Sequence, residues 1–155
     1  MRALSVFILA GATTFSADPP ILPLGVCELL RDLPAQEGKS VAVIGRYSFR
    51  ANGRWVGEQA CDPPVTVPLQ LWVQDSKDGP KPPDDFELDG VALHRKFTEI
   101  QRHTSLGKFR FGTPDYDRWA VIYGRVEIRK GEDARKAAAN LVIRGDGVIV
   151  VLTPE

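Results

Sequence analysis

Cys27 and Cys61 are the two thiols of this 155-residue chain. Two thiols in an oxidising compartment most simply join to each other, whereas in a reducing one they more often bind metal or exchange electrons. No Cys-x-x-Cys occurs and neither cysteine has a histidine near it in sequence, so a structural disulfide between Cys27 and Cys61 is expected. It would close a loop of about 35 residues, for which chain entropy gives roughly 3 to 4 kcal/mol.

The other reactive side chains form weaker patterns. His94 and His103 fall on opposite sides of a predicted helix and cannot share a metal there. Glu99 and His103 have i,i+4 spacing, which could hold a cation but is also that of a surface ion pair. From Asp75 to Asp89 there are six carboxylates (Asp75, Asp78, Asp84, Asp85, Glu87, Asp89) against Lys77 and Lys81. They lack the Asp-x-Asp-x-Asp-Gly order of a calcium loop, so a solvated acidic loop is expected. No Gly-x-Ser-x-Gly elbow and no GxxxxGK[ST] loop is present. Arg144-Gly145-Asp146 spells an adhesive tripeptide but is equally a bend. These readings lead to the expectation of a non-enzymatic protein with no catalytic residue, cofactor or metal. Arg46, Arg125 and Glu127 are parts from which a small phosphodiesterase-like hydrolase could be built, and that is an alternative.

The N-terminus has the order of an export signal: Arg2, an apolar run from Leu4 to Ala10, then small residues. Ala10-Gly11-Ala12 fits small-x-small cleavage, and the cut is expected after Ala12 or Ala17. A cut after Ala17 would leave Asp18 first but puts bulky Phe15 third before it. Residues 1–17 are therefore taken as a signal peptide and 18–155 as a single domain, periplasmic or secreted. The apolar run is far shorter than the roughly 20 residues that span a bilayer, so no anchor is expected after cleavage. The whole chain balances 20 basic against 20 acidic residues; losing Arg2 leaves 19 against 20. Strong non-specific nucleic-acid binding needs a basic surplus that this chain lacks.

Periodicity supplies the elements. Val26, Leu29, Leu30 and Leu33 share one side of a short helix ending before Pro34. Val41, Val43, Gly45, Tyr47 and Phe49 alternate with Ala42, Ile44, Arg46, Ser48 and Arg50, which is strand period. Asn52-Gly53 is a hairpin signal leading to a second strand at about Arg54 to Cys61. A third strand runs from about Val67 to Gln74, with Pro68 at its start or on an edge. Phe86 to Thr104 reads as a helix with Phe86, Leu93, Phe97, Ile100 and Thr104 on one face and Arg95, Glu99 and Arg102 opposite. Strands follow at 118–129 and 140–152, joined by a charged, Ala-rich connection, the last interrupted at Arg144–Gly147.

Three strands, a helix and two strands make a mainly β chain. That order predicts a five-stranded OB-like Greek-key barrel, with the helix between strands three and four plugging its open end and a short helix leading in. The segments VCELL, GKSVAVIG at 38–45, the hairpin ending in Cys61, Tyr123-Gly124-Arg125 and Leu141-Val142-Ile143 resemble exported bacterial OB-fold-like domains of unknown function. The likeness covers roughly residues 24 to 152.

OB barrels bind ligands over strands two and three and the flanking loops. That surface would carry Arg50, Asn52, Arg54, Trp55, Gln70 and Trp72, with Lys130, Arg135 and Lys136 from the far loop. Aromatic and arginine side chains are what stacking on bases or sugars requires. The expectation is an exported binding module for a glycan, nucleic acid or protein. The alternative is a structural or assembly component of the cell envelope, with an envelope protein as partner.

Overall fold

The computed structural model describes residues 18–108, 112–145 and 149–153; the expected signal peptide with its two candidate cleavage positions, and Asp146-Gly147, lie outside the described residues. The strands are β1 (Leu24–Gly25), β2 (Ser40–Arg50), β3 (Gly53–Gly57), β4 (Gln70–Asp75), β5 (Tyr116–Ile128), β6 (Ala139–Ile143) and β7 (Ile149–Leu152). The α-helices are α1 (Val26–Arg31), α2 (Leu33–Gln36) and α3 (Gly90–His103), and a 3-10 turn spans Gly131–Arg135.

Five of the strands close into a barrel in the order β2–β3–β4–β6–β5 and back to β2. Every seam is antiparallel except β4–β6, which is parallel from Leu71↔Ala139 to Asp75↔Ile143. This is the OB-like arrangement the element order predicts. The β2–β5 seam is the longest, from Ser40↔Arg125 to Phe49↔Tyr116. The last strand is indeed divided: β6 and β7 pair with successive stretches of β5, at Ile128–Arg125 and Ile122–Trp119.

The observed boundaries shift where local chemistry intervenes. The hairpin turn is Ala51-Asn52, and Gly53, at φ 143°, already pairs with Arg50 as the first residue of β3. β3 stops at Gly57, so Cys61 lies in the loop beyond it. Pro68 falls outside β4, which starts only at Gln70. α3 begins at Gly90 because the Asp89 side chain caps it, accepting from the Ala92 N–H at 2.8 Å. The acidic loop is partly pinned: Ser76 N–H donates to the Ile143 carbonyl at 2.8 Å, and Arg144 Nε to the Gly79 carbonyl at 3.0 Å.

One face of each strand fills the barrel: Val43 and Tyr47, Val56, Leu71 and Val73, Ala120, Ile122 and Val126, and Leu141 and Ile143. Val26, Leu29, Leu30 and Leu33 of the leading helices join this same core. The helix expected to plug the barrel does something else. Ile100, Leu93 and Phe97 of α3 pack on Ala42, Ile44, Trp119 and Val121, which project from the outer faces of β2 and β5. α1 and α2 thus serve the barrel interior, and α3 covers the outer wall instead of plugging the open end. The physical reason lies in the outward positions of β2 and β5, whose apolar halves would face water uncovered. Gly45 admits the leading helix, because a Cβ there would sit 3.1 Å from the Val26 Cγ2 and 2.9 Å from that of Val56.

Candidate functional site

The alternation of β3 and β4 sends Val56, Leu71 and Val73 inward and leaves Trp55 and Trp72 on the outside. These two are direct cross-strand partners, the pairing that brings aromatic side chains into contact. Their ring centroids are 5.9 Å apart at an interplanar angle of 26°, and both residues are half-buried. Arg129, just beyond β5, places its guanidinium carbon 5.5 Å from the centroid of Trp72 and pairs with Asp133 at 3.2 Å. A hollow beside the pair is lined by Trp72, Gln74, Arg129, Lys130 and Asn140. Asn140 is the register partner of Trp72 across the parallel seam. The result is a wall of stacked indoles edged by amides and two cations.

Only part of the expected set converges on this wall. Trp55, Trp72 and Lys130 belong to it. Gln70 shares the outward side of β4 and donates to the Lys136 carbonyl at 2.5 Å. Arg135 and Lys136 are exposed on the 3-10 turn and its end, and Asn52 is exposed at the hairpin tip. Arg54 lies on the other side of β3 from Trp55 and bonds the Tyr47 hydroxyl. Arg50 bridges β2 to β5, pairing with Asp117 at 2.5 Å and donating to the Tyr116 carbonyl at 2.7 Å. Gln74, Arg129 and Asn140 were absent from the expected face. Gln74 could have been found as the i+2 neighbour of Trp72; Arg129 and Asn140 arrive by strand pairing between distant segments.

Of the parts named for a hydrolase, Arg125 and Glu127 come together and Arg46 stands apart. Arg46 stands opposite Trp119 and Arg125 opposite Ser40, six positions apart on the β2–β5 seam, or about 20 Å at the strand rise. Arg125 pairs with Glu127 at 2.8 Å, while Arg46 donates to the Ser105 carbonyl at 3.1 Å. Among the described residues no group of three or more His, Cys, Asp or Glu side chains is placed to hold a metal ion.

A second cluster surrounds the disulfide that joins Cys27 to Cys61, with Cα atoms 5.5 Å apart. Glu58, the residue after β3, is 9% exposed. Its Oε1 accepts from the Cys27 N–H at 3.3 Å, and its Oε2 lies 3.1 Å from Cys27 Sγ. A disulfide sulfur carries no proton, so that second contact is not an S–H donation. Burial pushes the Glu58 carboxyl above the usual carboxylate range; the Cys27 N–H opposes this, Glu99 adds to it, and the Val26 N–H and His103 oppose it. A cavity of about 280 Å³ opens here between α1 and α3, with Cys27 and Glu58 in its wall. An ion pair between Lys96 and Glu28 links the two helices across it. Nothing in the sequence singled out Glu58, since an acid after a strand usually faces water.

No helix among the described residues is long and apolar enough to cross a membrane. No protein-family model, curated protein or solved structure matches this chain.

Proposed function

We propose that the chain is an exported, non-enzymatic OB-like module, a relative of the OB-fold superfamily, whose Trp55–Trp72 wall binds the sugar rings of a glycan. The observation that carries this reading is the stacked, half-buried indole pair on the outer wall of β3 and β4. Such a pair offers a flat apolar platform to a ring, and the amides of Gln74 and Asn140 beside it are suited to hydroxyl groups. A nucleic-acid ligand fits the charge less well, because Arg129 is already paired with Asp133 and the chain has no basic surplus. The leader sequence and the joined cysteine pair support export.

The test is a titration of tryptophan emission with an oligosaccharide series and, in parallel, with single-stranded oligonucleotides. Saturable quenching or a shift with an oligosaccharide, lost in Trp55→Ala, is the expected result. A response to oligonucleotides alone, falling steeply with salt, would replace glycan by nucleic acid. Silence to both would leave the wall without a ligand and end the reading.

Exposed apolar side chains favour a second reading, an assembly component of the cell envelope. Val91 at the start of α3 is 84% exposed and Leu22 63%, and each flanks the bridge Ile21↔Leu88. Cross-linking in an envelope extract through a residue next to Val91 would test it.

A further inference from the structure

We propose that the Cys27–Cys61 disulfide is a thiol–disulfide exchange site in which Glu58 is the acid that protonates the departing Cys27 sulfur. The first observation is contact: Glu58 Oε2 stands 3.1 Å from Cys27 Sγ, within reach of direct proton transfer. The second is orientation. With Oε1 held on the Cys27 N–H, the carboxyl presents its other oxygen to the sulfur. The third is asymmetry of access. Cys27 is 8% exposed, whereas Cys61 is half-buried in the loop beyond β3. An incoming thiolate therefore reaches Cys61 and expels Cys27.

The step balances. A thiolate R–S⁻ attacks Cys61 Sγ, forming a new S–S bond as the Cys27–Cys61 bond breaks. The electron pair of the broken bond goes to Cys27 Sγ, and the Glu58 O–H proton follows it. The products are a mixed disulfide on Cys61, a Cys27 thiol and a Glu58 carboxylate. When the reductant is a dithiol, its second thiolate attacks the mixed disulfide. That releases Cys61 as a thiolate and leaves the reductant as a disulfide, two electrons having passed to the protein. In reverse, Glu58 takes the Cys27 proton as the bond closes. Exchange is faster when the leaving sulfur is less basic, and a proton supplied on departure achieves the same end. The need is greater here because a thiolate at a buried position is costly.

The surroundings suit this role. Burial keeps Glu58 protonated further toward neutrality than an exposed glutamate. Glu99 and His103 face it from α3 with opposite effects. On the α1 side Glu28 is neutralised by Lys96. Arg31 donates to the Pro63 carbonyl at 3.0 Å, which sets a cation beside the segment that carries Cys61 and Asp62. Arg95 adds a second cation to the cavity, set against the carboxylates of Asp62 and Glu99 in the same lining.

The experiment follows reduction of the folded protein by dithiothreitol, with samples alkylated at intervals and weighed by mass spectrometry. Rates are expressed per reductant thiolate from about pH 4, near the ordinary glutamate value, up to about pH 8.5. The rate per thiolate should be highest where Glu58 is protonated and should fall as pH rises through its titration. Glu58→Gln keeps the side-chain shape but cannot give up a proton. It should lower the acid-side rate on the order of 10²-fold and flatten the profile. His103→Gln should keep the fall, which separates it from histidine titration. Wild-type rates and profile in Glu58→Gln would overturn the proposal. So would a flat wild-type profile, or a rate independent of dithiothreitol concentration, which would mean that the bond opens only through unfolding. If Glu58→Gln does not fold, the wild-type and His103→Gln profiles decide the matter.

Discussion

The indole of Trp72 lies against Gly53, so close that a Cβ on Gly53 would fall 2.3 Å from Cζ2 of the ring. The first residue of β3 thus seats an aromatic of β4, and the hairpin and the tryptophan wall are one unit. Gly53→Ala would meet two obstacles, the ring and a backbone φ of 143° that L residues rarely adopt. Strain of this kind costs about 1 to 3 kcal/mol. The expected outcome is a lower urea midpoint together with a changed near-ultraviolet circular dichroism signal as Trp72 leaves Trp55. An unchanged signal would mean that the ring sits elsewhere.

Trp72→Ala separates a ligand platform from a structural prop. One aromatic stacking contact is worth about 1 to 3 kcal/mol, so affinity for the bound oligosaccharide should fall roughly 5- to 150-fold. Trp72 is half-buried on the outside of the barrel, so the melting temperature should move far less than for a core residue. A large drop in melting temperature with affinity retained would assign the indole to stability alone.

The position of α3 predicts a contrast along one helix. Phe97 is half-buried and meets the edge of Trp119 at 5.7 Å between centroids, whereas Arg102 is exposed. Phe97→Ala should cost about 2 to 3 kcal/mol, below the full price of a buried aromatic, and Arg102→Ala under about 0.5 kcal/mol. Chemical denaturation of the two variants checks this, and equal effects would contradict the helix orientation.

Cys61→Ser removes the tie between α1 and the loop after β3. The expected loss is about 2 to 5 kcal/mol, in line with native bridges in small secreted domains. Denaturation of the variant beside the oxidised wild type measures it. A difference below about 0.5 kcal/mol, the size of a surface change, would deny the bridge a stabilising role.

Two buried carboxyls predict opposite pH trends. Glu58 has a folded pKa above its unfolded value. The fold therefore suffers no penalty below the unfolded value, loses stability as pH rises through the window up to the folded value, and stays lower beyond it. For Asp117 burial acts upward, but the Gly107 N–H, the Ser48 hydroxyl and Arg50 outweigh it and hold the folded pKa below the ordinary value. Its contribution is present above the unfolded value and is lost as pH falls through the folded one. Urea midpoints across pH should lose the first trend in Glu58→Gln and the second in Asp117→Asn.

The sequence by itself determined the strand order, the alternation that fills the barrel, the hairpin near Asn52 and the pairing of Cys27 with Cys61. These follow from local periods, turn chemistry and the scarcity of thiols, all of which are written along the chain. The outward position of Trp72 was legible too, because it alternates with Leu71 and Val73. Only the tertiary structure decided which helix meets which surface. α1 and α3 both present an apolar face, and periodicity does not say whether that face meets the barrel interior or its outer wall. Ala42, Ile44, Trp119 and Val121 settled it, and they become one patch only once β2 and β5 pair. Arg129 and Asn140 reached Trp72 in the same way, through seams between segments far apart in sequence. Glu58 was invisible beforehand because its burial against the disulfide depends on α1 docking over the end of β3, a contact between segments about 30 residues apart. Local pattern fixes what an element is, and long-range packing fixes what it touches.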